Sequence, residues 1–427
     1  MNTVTKTLIE SHWDQKYEVY ELKQFKDDRG MVCETFRLDD DLLKDAKMCY
    51  ISETAPFVMR GPHEHADQTD FFVSWKTRMV YQMYNKETDE MKFFVTEPNK
   101  MYLVKVAPPI IHSYRNISIE TSKTLNYPTS LFMGEDKKEE IDEIRHEPIV
   151  EDNDIIVLFG ATGRLGSALT DKLYDNMKYH KYDLVPLYDK LHTKEDVNNL
   201  FIKLQEFKGK NVTFINCSGV TNVQDSGEEN ILYWTNTYLP SEFAKKCSNN
   251  GWSFLQFSTD YVFQEAEKFG VSLSPYTNSK KLMEKEIESI GEELENCSII
   301  RVANLFSTKE KDLHNLIYKM WLKVRANQTI SIDERINIYP TDVEVLSNYL
   351  VENFIFNISN HKGIKYYNMA SEGFALKPFL CDFFNYDNIE IKNSLLNNWT
   401  SVYNKNIINI GDSKESIINI INKLKEK

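Results

Sequence analysis

One segment restricts the fold more than any other: DIIVLFGATGRLGSALTDKLYDNM, residues 154–177. Ile155–Phe159 is an unbroken apolar run without alternation, the pattern of a strand buried on both faces. Glycines follow at 160, 163 and 166, and the chain then runs on with helical spacing. A strand that turns on glycine into a helix brings backbone N–H groups and a helix N-terminus to one point, which suits a pyrophosphate. The loop lacks the Gly-Lys-Ser/Thr ending of a P-loop, which argues against nucleotide hydrolysis. Three further apolar runs, VTFINCSG, SFLQFSTDYVF and CSIIRVANLF, are each set off by a helix-like segment. Apolar strands alternating with helices predict a parallel sheet covered on both faces.

The first third reads differently. MVCETFRL, FFVSWKTRMVYQMYN, MKFFVTE and MYLVKVAPPIIHSYRNI are β-branched and aromatic runs separated by Asp, Asn, Pro and Lys. Closely spaced strands without helical periods predict an all-β sandwich or barrel. The texture changes in GEDKKEEIDEIRHEPIVEDND, residues 134–154, a charged stretch that reads as the linker. Part of it reads equally as a solvated tail strand of the first domain. Two domains are expected, 1–149 and 150–427, in keeping with a length of 427 residues. Residues beyond 375, ending SIINIINKLKEK, are expected to close a small substrate-covering subdomain.

Charge narrows the function. With 51 Lys and Arg against 64 Asp and Glu, a net charge of -13 argues against a nucleic-acid surface. No apolar run approaches membrane-spanning length, and MNTVTKTLIESHWDQK lacks the blocks of a secretion signal. The six cysteines lie far apart with no C-x-x-C pair and read as reduced, mostly buried thiols. A cytoplasmic protein is expected.

Chemistry enters the second domain through FSTDYVF and SPYTNSKK. Tyr276 and Lys280 are four apart on a helix predicted to begin at Pro275, so they share a face. An ammonium near a phenol favours the phenolate, so Lys280 is expected to lower the Tyr276 pKa and make it a general acid. Lys280 is also placed to hold a nicotinamide ribose. Thr259, or Ser258 beside it, ends a strand and is placed to bond the same carbonyl oxygen. A surface Tyr–Lys pair is the plain alternative.

These pieces resemble the extended short-chain dehydrogenase/reductase superfamily, and within it the dTDP-4-dehydrorhamnose reductase family. INCSGVTNVQDSGEE, TNTYLPSEFAKKC, FSTDYVF, YTNSK, IIRVANLFS and INIYPTDVEVLSNYLVE follow that family's blocks in order over most of 154–370. The resemblance implies a Rossmann-type doubly wound sheet and hydride transfer from NADPH or NADH to the 4-keto group of a nucleotide-linked 6-deoxysugar. It implies catalytic roles for Thr259, Tyr276 and Lys280, and a cofactor loop of Gly160, Gly163, Arg164, Leu165 and Gly166. Arg164 is placed to meet a 2′-phosphate, which favours NADPH; a plain surface Arg is the alternative.

The first domain carries RGPHEHADQTDFF, residues 60–72, in which His63 and His65 share one face of a strand. With Asp70 and, later, His112 and Asn116 in PPIIHSYRN, this is the two-motif spacing of cupin barrels, where such residues can surround one metal. DDRG, RGPHEH, QTDFF, APPIIHSYRN and NYPTSLF resemble the dTDP-4-dehydrorhamnose 3,5-epimerase family over residues 20–147. Related sugar 3,4-ketoisomerases share Arg-Gly-x-His-x-His. The resemblance implies a cupin jelly roll with His63 as base and His112 as a second pocket histidine. It also implies that Arg29, Glu34, Arg60 and His65 contact a nucleotide diphosphate sugar.

The departures leave alternatives open. Asp70 stands where that family has a Lys, Leu131–Phe132 where it has a Tyr pair, and Met31 where it has an aromatic. A carboxylate beside an enolate is unfavourable unless it is protonated or faces a cation. The domain therefore epimerises one carbon with another acid, uses a metal held by His63, His65, Asp70 and His112, or binds substrate without catalysis. The joint expectation is a bifunctional 3- and/or 5-epimerase and 4-ketoreductase making a rhamnose-type or N-acetylated 6-deoxy-L-sugar donor. The competing expectations are a 4-ketoreductase with a passive or ketoisomerase barrel, and a non-catalytic dinucleotide-binding assembly protein. Relatives of both domains suggest a homodimer.

Overall fold

The computed structural model describes residues 5–37, 39–131, 143–146, 154–180, 182–221, 228–264, 272–291, 294, 296–308, 316–332, 337–358, 361–391 and 407–425. The chain divides into two compact units. One comprises Met1–Asp154 with 177–189 and 199–210; the other comprises Ile155–Asn176, Lys190–Asn198 and Asn211–Lys427. The expected boundary at 149/150 lies outside the described residues.

In the first unit two antiparallel sheets enclose a core. One runs in the order Lys6–His12, Tyr17–Leu22, Met101–Val106, Asp70–Ser74, Ser122–Asn126, Tyr50–Thr54. The other runs Glu143–Arg145, Met59–His65, Ile111–Asn116, Met79–Asn85, Glu90–Val95. Period-2 alternation decides what each strand offers the space between them. Phe72, Val104 and Val19 from the first sheet pack with Tyr81, Met83 and Tyr114 from the second. Phe71, Val73 and Leu103 belong instead to a separate cluster with Leu43 and Tyr127. Because Asp70 lies two residues before Phe72, and His112 two before Tyr114, both also project inward. Within the linker stretch, described at 143–146 and at Asp154, Glu143–Arg145 pairs with the Met59–His65 strand, so for these three residues the tail-strand reading holds.

In the second unit, strands run side by side in chain order: Asp154–Phe159, Asn211–Asn216, Ser253–Thr259, Cys297–Val302, Ile364–Ala370, Ile407–Asn409. The pairings from Asn211–Asn216 onward are parallel. The first strand is buried from Ile155 to Phe159, as its unbroken apolar run requires. The closing helix Lys414–Lys425 sets Ile417, Ile420, Ile421 and Leu424 against Trp321, Phe379 and Phe384 of the helices Leu316–Arg325 and Leu376–Phe384. These helices share one apolar cluster with Ile330, Ile332 and Ile338.

All six cysteines are free. Only Cys247 and Cys297 are buried, however, and Cys49 is exposed, which corrects the expectation that most lie inside. No helix among the described residues is long and apolar enough to cross a membrane.

Candidate functional site

The parallel sheet delivers its chemistry at the carboxyl ends of its strands, where open α/β sheets place their ligands. Gly160 follows the first strand with φ +84°, and a Cβ there would lie 2.7 Å from the Ser218 nitrogen. Gly163 N–H donates to the Gly160 carbonyl at 3.0 Å. At Gly166 a Cβ would lie 2.1 Å from the Gly160 carbonyl oxygen, so only glycine lets the Arg164–His180 helix start so close to the turn. Leu165 is buried beneath it. Arg164 donates from Nη1 to the Leu305 carbonyl at 3.2 Å. The cradle therefore has the shape a dinucleotide pyrophosphate needs.

The helix Pro275–Glu288 starts as expected, with Ser274 as its cap accepting from Thr277 N–H at 3.1 Å. It carries Tyr276 and Lys280 on one side. Lys280 is buried, and its Nζ donates to the Phe257 carbonyl at 3.1 Å. Burial pulls the ammonium down to about 8, against the pull of Glu284 one turn later. Tyr276 goes the other way. Burial pushes its phenol well above its ordinary value, with Thr259 opposing by a hydrogen bond. The expectation of a Lys280-lowered phenol is thus corrected: no hydrogen bond joins the two among the described residues, and desolvation dominates. At neutral pH Tyr276 keeps the proton that a general acid must give.

Thr259 and Ser258 separate cleanly. Thr259 closes its strand, donates to Asp260 Oδ1 at 2.9 Å and accepts from Tyr261 N–H at 3.3 Å. Ser258, on the opposite face, donates to Glu284 Oε1 at 2.6 Å. Glu284 also accepts two hydrogen bonds from Arg301, at 3.0 and 2.6 Å. Ser258 therefore braces helix and sheet, and of the two hydroxyls Thr259 is the one left at the strand end. Glu284 and Arg301 escaped sequence reasoning, although the i,i+4 spacing of Lys280 and Glu284 was a readable signal. Asn236 was missed too. It is fully buried, bonds both polar groups of the Val220 backbone, and donates to Ser279 Oγ at 3.1 Å on the Tyr276 helix.

In the first unit, His63, His65, Asp70 and His112 come together, with one ligand-type atom of each within 4.8 Å of the others. His112 pairs with His63 across neighbouring strands, and Asp70 reaches in from the facing sheet. Asp70 is 1% exposed. Its Oδ1 accepts from Gln68 at 2.9 Å and from Asn126 at 2.8 Å. Its Oδ2 faces His65 Nε2 at 3.0 Å and His112 Nε2 at 3.4 Å. Burial pushes the carboxyl up, but the two facing imidazoles outweigh it and hold Asp70 below the usual carboxylate range.

Of the residues expected to contact a nucleotide diphosphate sugar, His65 belongs to this cluster, whereas Arg29, Glu34 and Arg60 do not. Arg29, with its side chain 91% exposed, pairs with Asp27 on the hairpin Gln24–Cys33. Glu34 is exposed and pairs with Arg37 at 3.5 Å. Arg60 donates to Thr54 Oγ1 at 3.0 Å and to the Glu53 carbonyl at 2.6 Å. Local partners engage all three: a carboxylate for Arg29, the Arg37 guanidinium for Glu34, and a hydroxyl and a carbonyl for Arg60. Leu131 and Met31 are exposed, and Phe132 lies outside the described residues.

Comparison with known proteins fits this division. The family model described as the RmlD substrate binding domain matches residues 154–381. The probable low-salt glycan biosynthesis epimerase Agl13 of Haloferax volcanii is 35% identical over 130 residues, 29% of this chain and 83% of that protein. The spore coat polysaccharide biosynthesis protein SpsL of Bacillus subtilis is 28% identical over 131 residues, 29% of this chain and 84% of its own length. Epimerase likeness falls in the N-terminal part. Among solved structures, dTDP-4-dehydrorhamnose reductase of Bacillus anthracis in complex with NADP aligns with a TM-score of 0.45 at 17% identity. It covers 64% of this chain and 98% of that one.

Proposed function

The chain belongs to the RmlD substrate-binding domain family, and from that premise we propose a bifunctional nucleotide-sugar enzyme. It epimerises a nucleotide-linked 4-keto-6-deoxyhexose at C3, C5 or both, then reduces the 4-ketone. The product is a rhamnose-type or N-acetylated 6-deoxy-L-sugar donor. On this reading residues 1–149 are a cupin-type epimerase domain and 150–427 a Rossmann-type reductase domain that uses NADPH or NADH.

One observation carries the reading: Thr259 ends a strand of the parallel sheet whose first turn is the Gly160–Gly166 cradle, and the helix Pro275–Glu288 brings Tyr276 and Lys280 to that strand, Lys280 bonding the Phe257 carbonyl. NADPH, when bound, supplies the hydride that reaches C4. Tyr276 gives its proton to the ketone oxygen, Thr259 holds that oxygen, and Lys280 keeps positive charge beside the site. Epimerisation needs a base for the hydrogen on a carbon flanking the ketone, and His63 takes that role. Reduction then removes the carbonyl that made those hydrogens acidic, so the new configuration is locked.

A second reading has its own support. An ionised, buried Asp70 opposes an enolate, which favours a 4-ketoreductase with a passive barrel. Two measurements separate them. Incubation with UDP- and dTDP-linked 4-keto-6-deoxyglucose, with and without a 2-acetamido group, is expected to consume NADPH at the nicotinamide absorbance band. Solvent deuterium is expected at C3 or C5 by NMR without NADPH. Absence of NADPH oxidation with every sugar rejects the enzyme reading, while oxidation without deuterium entry selects the passive barrel.

A further inference from the structure

We propose that His65, Asp70 and His112 hold a divalent transition-metal cation, zinc or ferrous iron, with His63 kept beside it for proton transfer. The metal's role rests on the epimerase reading above; its binding does not.

The donor atoms themselves demand a cation. His112 Nδ1 lies 3.1 Å from the Ile110 carbonyl oxygen, which can only accept, so Nδ1 carries the ring proton. Nε2 then presents a lone pair. It is buried, has no hydrogen-bond partner, and points at Asp70 Oδ2 from 3.4 Å. His65 approaches the same oxygen: its Nε2 lies 3.0 Å from Oδ2 and 3.2 Å from the Gln68 amide nitrogen. Two imidazole nitrogens and a carboxylate oxygen thus converge, with the His63 ring beside them. A buried polar atom without a partner is costly, and a metal ion at this point removes that cost for His112 Nε2.

Size agrees with chemistry. Tetrahedral bonds of about 2.0–2.1 Å put neighbouring ligand atoms roughly 3.3–3.4 Å apart, and the separations of 3.0 and 3.4 Å bracket that edge. Two imidazoles and one carboxylate form the donor set of catalytic zinc sites and of non-haem iron sites. Second-sphere contacts are in place: Ile110 fixes the His112 tautomer, while Gln68 and Asn126 occupy the other Asp70 oxygen. His63 differs from the other three in being only half-buried, as a group that must meet a substrate has to be. A bound cation supplies the positive charge that a developing enolate oxygen needs beside Asp70.

The test reads metal first and turnover second. The full chain is exposed to zinc chloride, or anaerobically to ferrous sulfate, dialysed, and analysed for metal. About one equivalent per chain is expected for wild type and for His63→Ala, and below roughly 0.1 for His65→Ala and His112→Ala. Because a histidine variant can misfold, cobalt(II) is added to unmodified chain, where visible ligand-field bands displaced by zinc are expected. Wild type holding under about 0.1 equivalent of either metal means a protonated, metal-free cluster and overturns the proposal. Variants that bind like wild type overturn it too, as does loss of metal in a folded His63→Ala. Stoichiometric metal without deuterium entry at C3 or C5 leaves the site standing and removes only its epimerase role.

Discussion

Asp260 shows how far a residue's neighbours can move it. It is buried, and although Thr259 donates to it, burial pushes its carboxyl up from 3.8 to about 7. Between those values the folded chain keeps a proton that the unfolded chain has released. Stability therefore falls as pH rises through the window, and above it an ionised carboxylate stays buried. Asp260→Asn keeps the acceptor for Thr259 and removes the charge. It is expected to match wild type near pH 4 and to exceed it by roughly 1–3 kcal/mol at pH 8 in urea melts; the same offset at both pH values would reject the assignment. None of this was legible in FSTDYVF, because a pKa depends on what other strands lay over the group. For the same reason the Tyr276–Lys280 spacing was readable, while the direction of the Tyr276 shift was not. It turns on how deeply other elements bury the phenol. His63 and His65 were legible as one face because alternation is local. Arg29 and Glu34, carried over by resemblance, sit exposed among their own partners.

Elements impose their own demands, and the glycine turn makes them measurable. A Cβ at Gly166 meets the Gly160 carbonyl oxygen at 2.1 Å and its carbon at 2.8 Å, both backbone, so strand, turn and helix must separate. A Cβ at Gly163 meets that oxygen at 3.3 Å with no unusual φ. Gly166→Ala is expected to lose about 2–4 kcal/mol, whereas Gly163→Ala stays within about 1 kcal/mol yet weakens NADPH binding. Cofactor-free thermal melts and NADPH titrations check both, and equal destabilisation by the two would contradict the geometry. The buried strand and its helix were plain in the sequence, since period and glycine spacing are local signals. Lys6–His12 was not, because KTLIESH is an edge strand with little buried surface to pattern it.

At the scale of the whole molecule, the proposed function puts two chemistries in one chain, and these should be separable within it. In the full chain, Tyr276→Phe is expected to slow NADPH oxidation by about 10²–10⁴-fold while leaving solvent deuterium exchange intact. His63→Asn is expected to abolish exchange and preserve reduction of a 4-ketone. NMR and nicotinamide absorbance read the two independently, and a single substitution that silences both ends the claim of separate sites. The two sheet orders also differ in time. Strands of the parallel sheet from Asn211–Asn216 to Ile407–Asn409 join in the order in which they are made, each arriving beside a neighbour already present. In the antiparallel unit Tyr17–Leu22 waits for Met101–Val106, and Asp70–Ser74 sits between that strand and Ser122–Asn126. Such non-local pairing is slow, because a long loop closes before any contact rewards it. On the ribosome, therefore, the histidines of Met59–His65 emerge well before the strands that enclose them, and a nascent chain stopped short of Asn126 carries His63, His65, Asp70 and His112 with no finished sheet to hold them together.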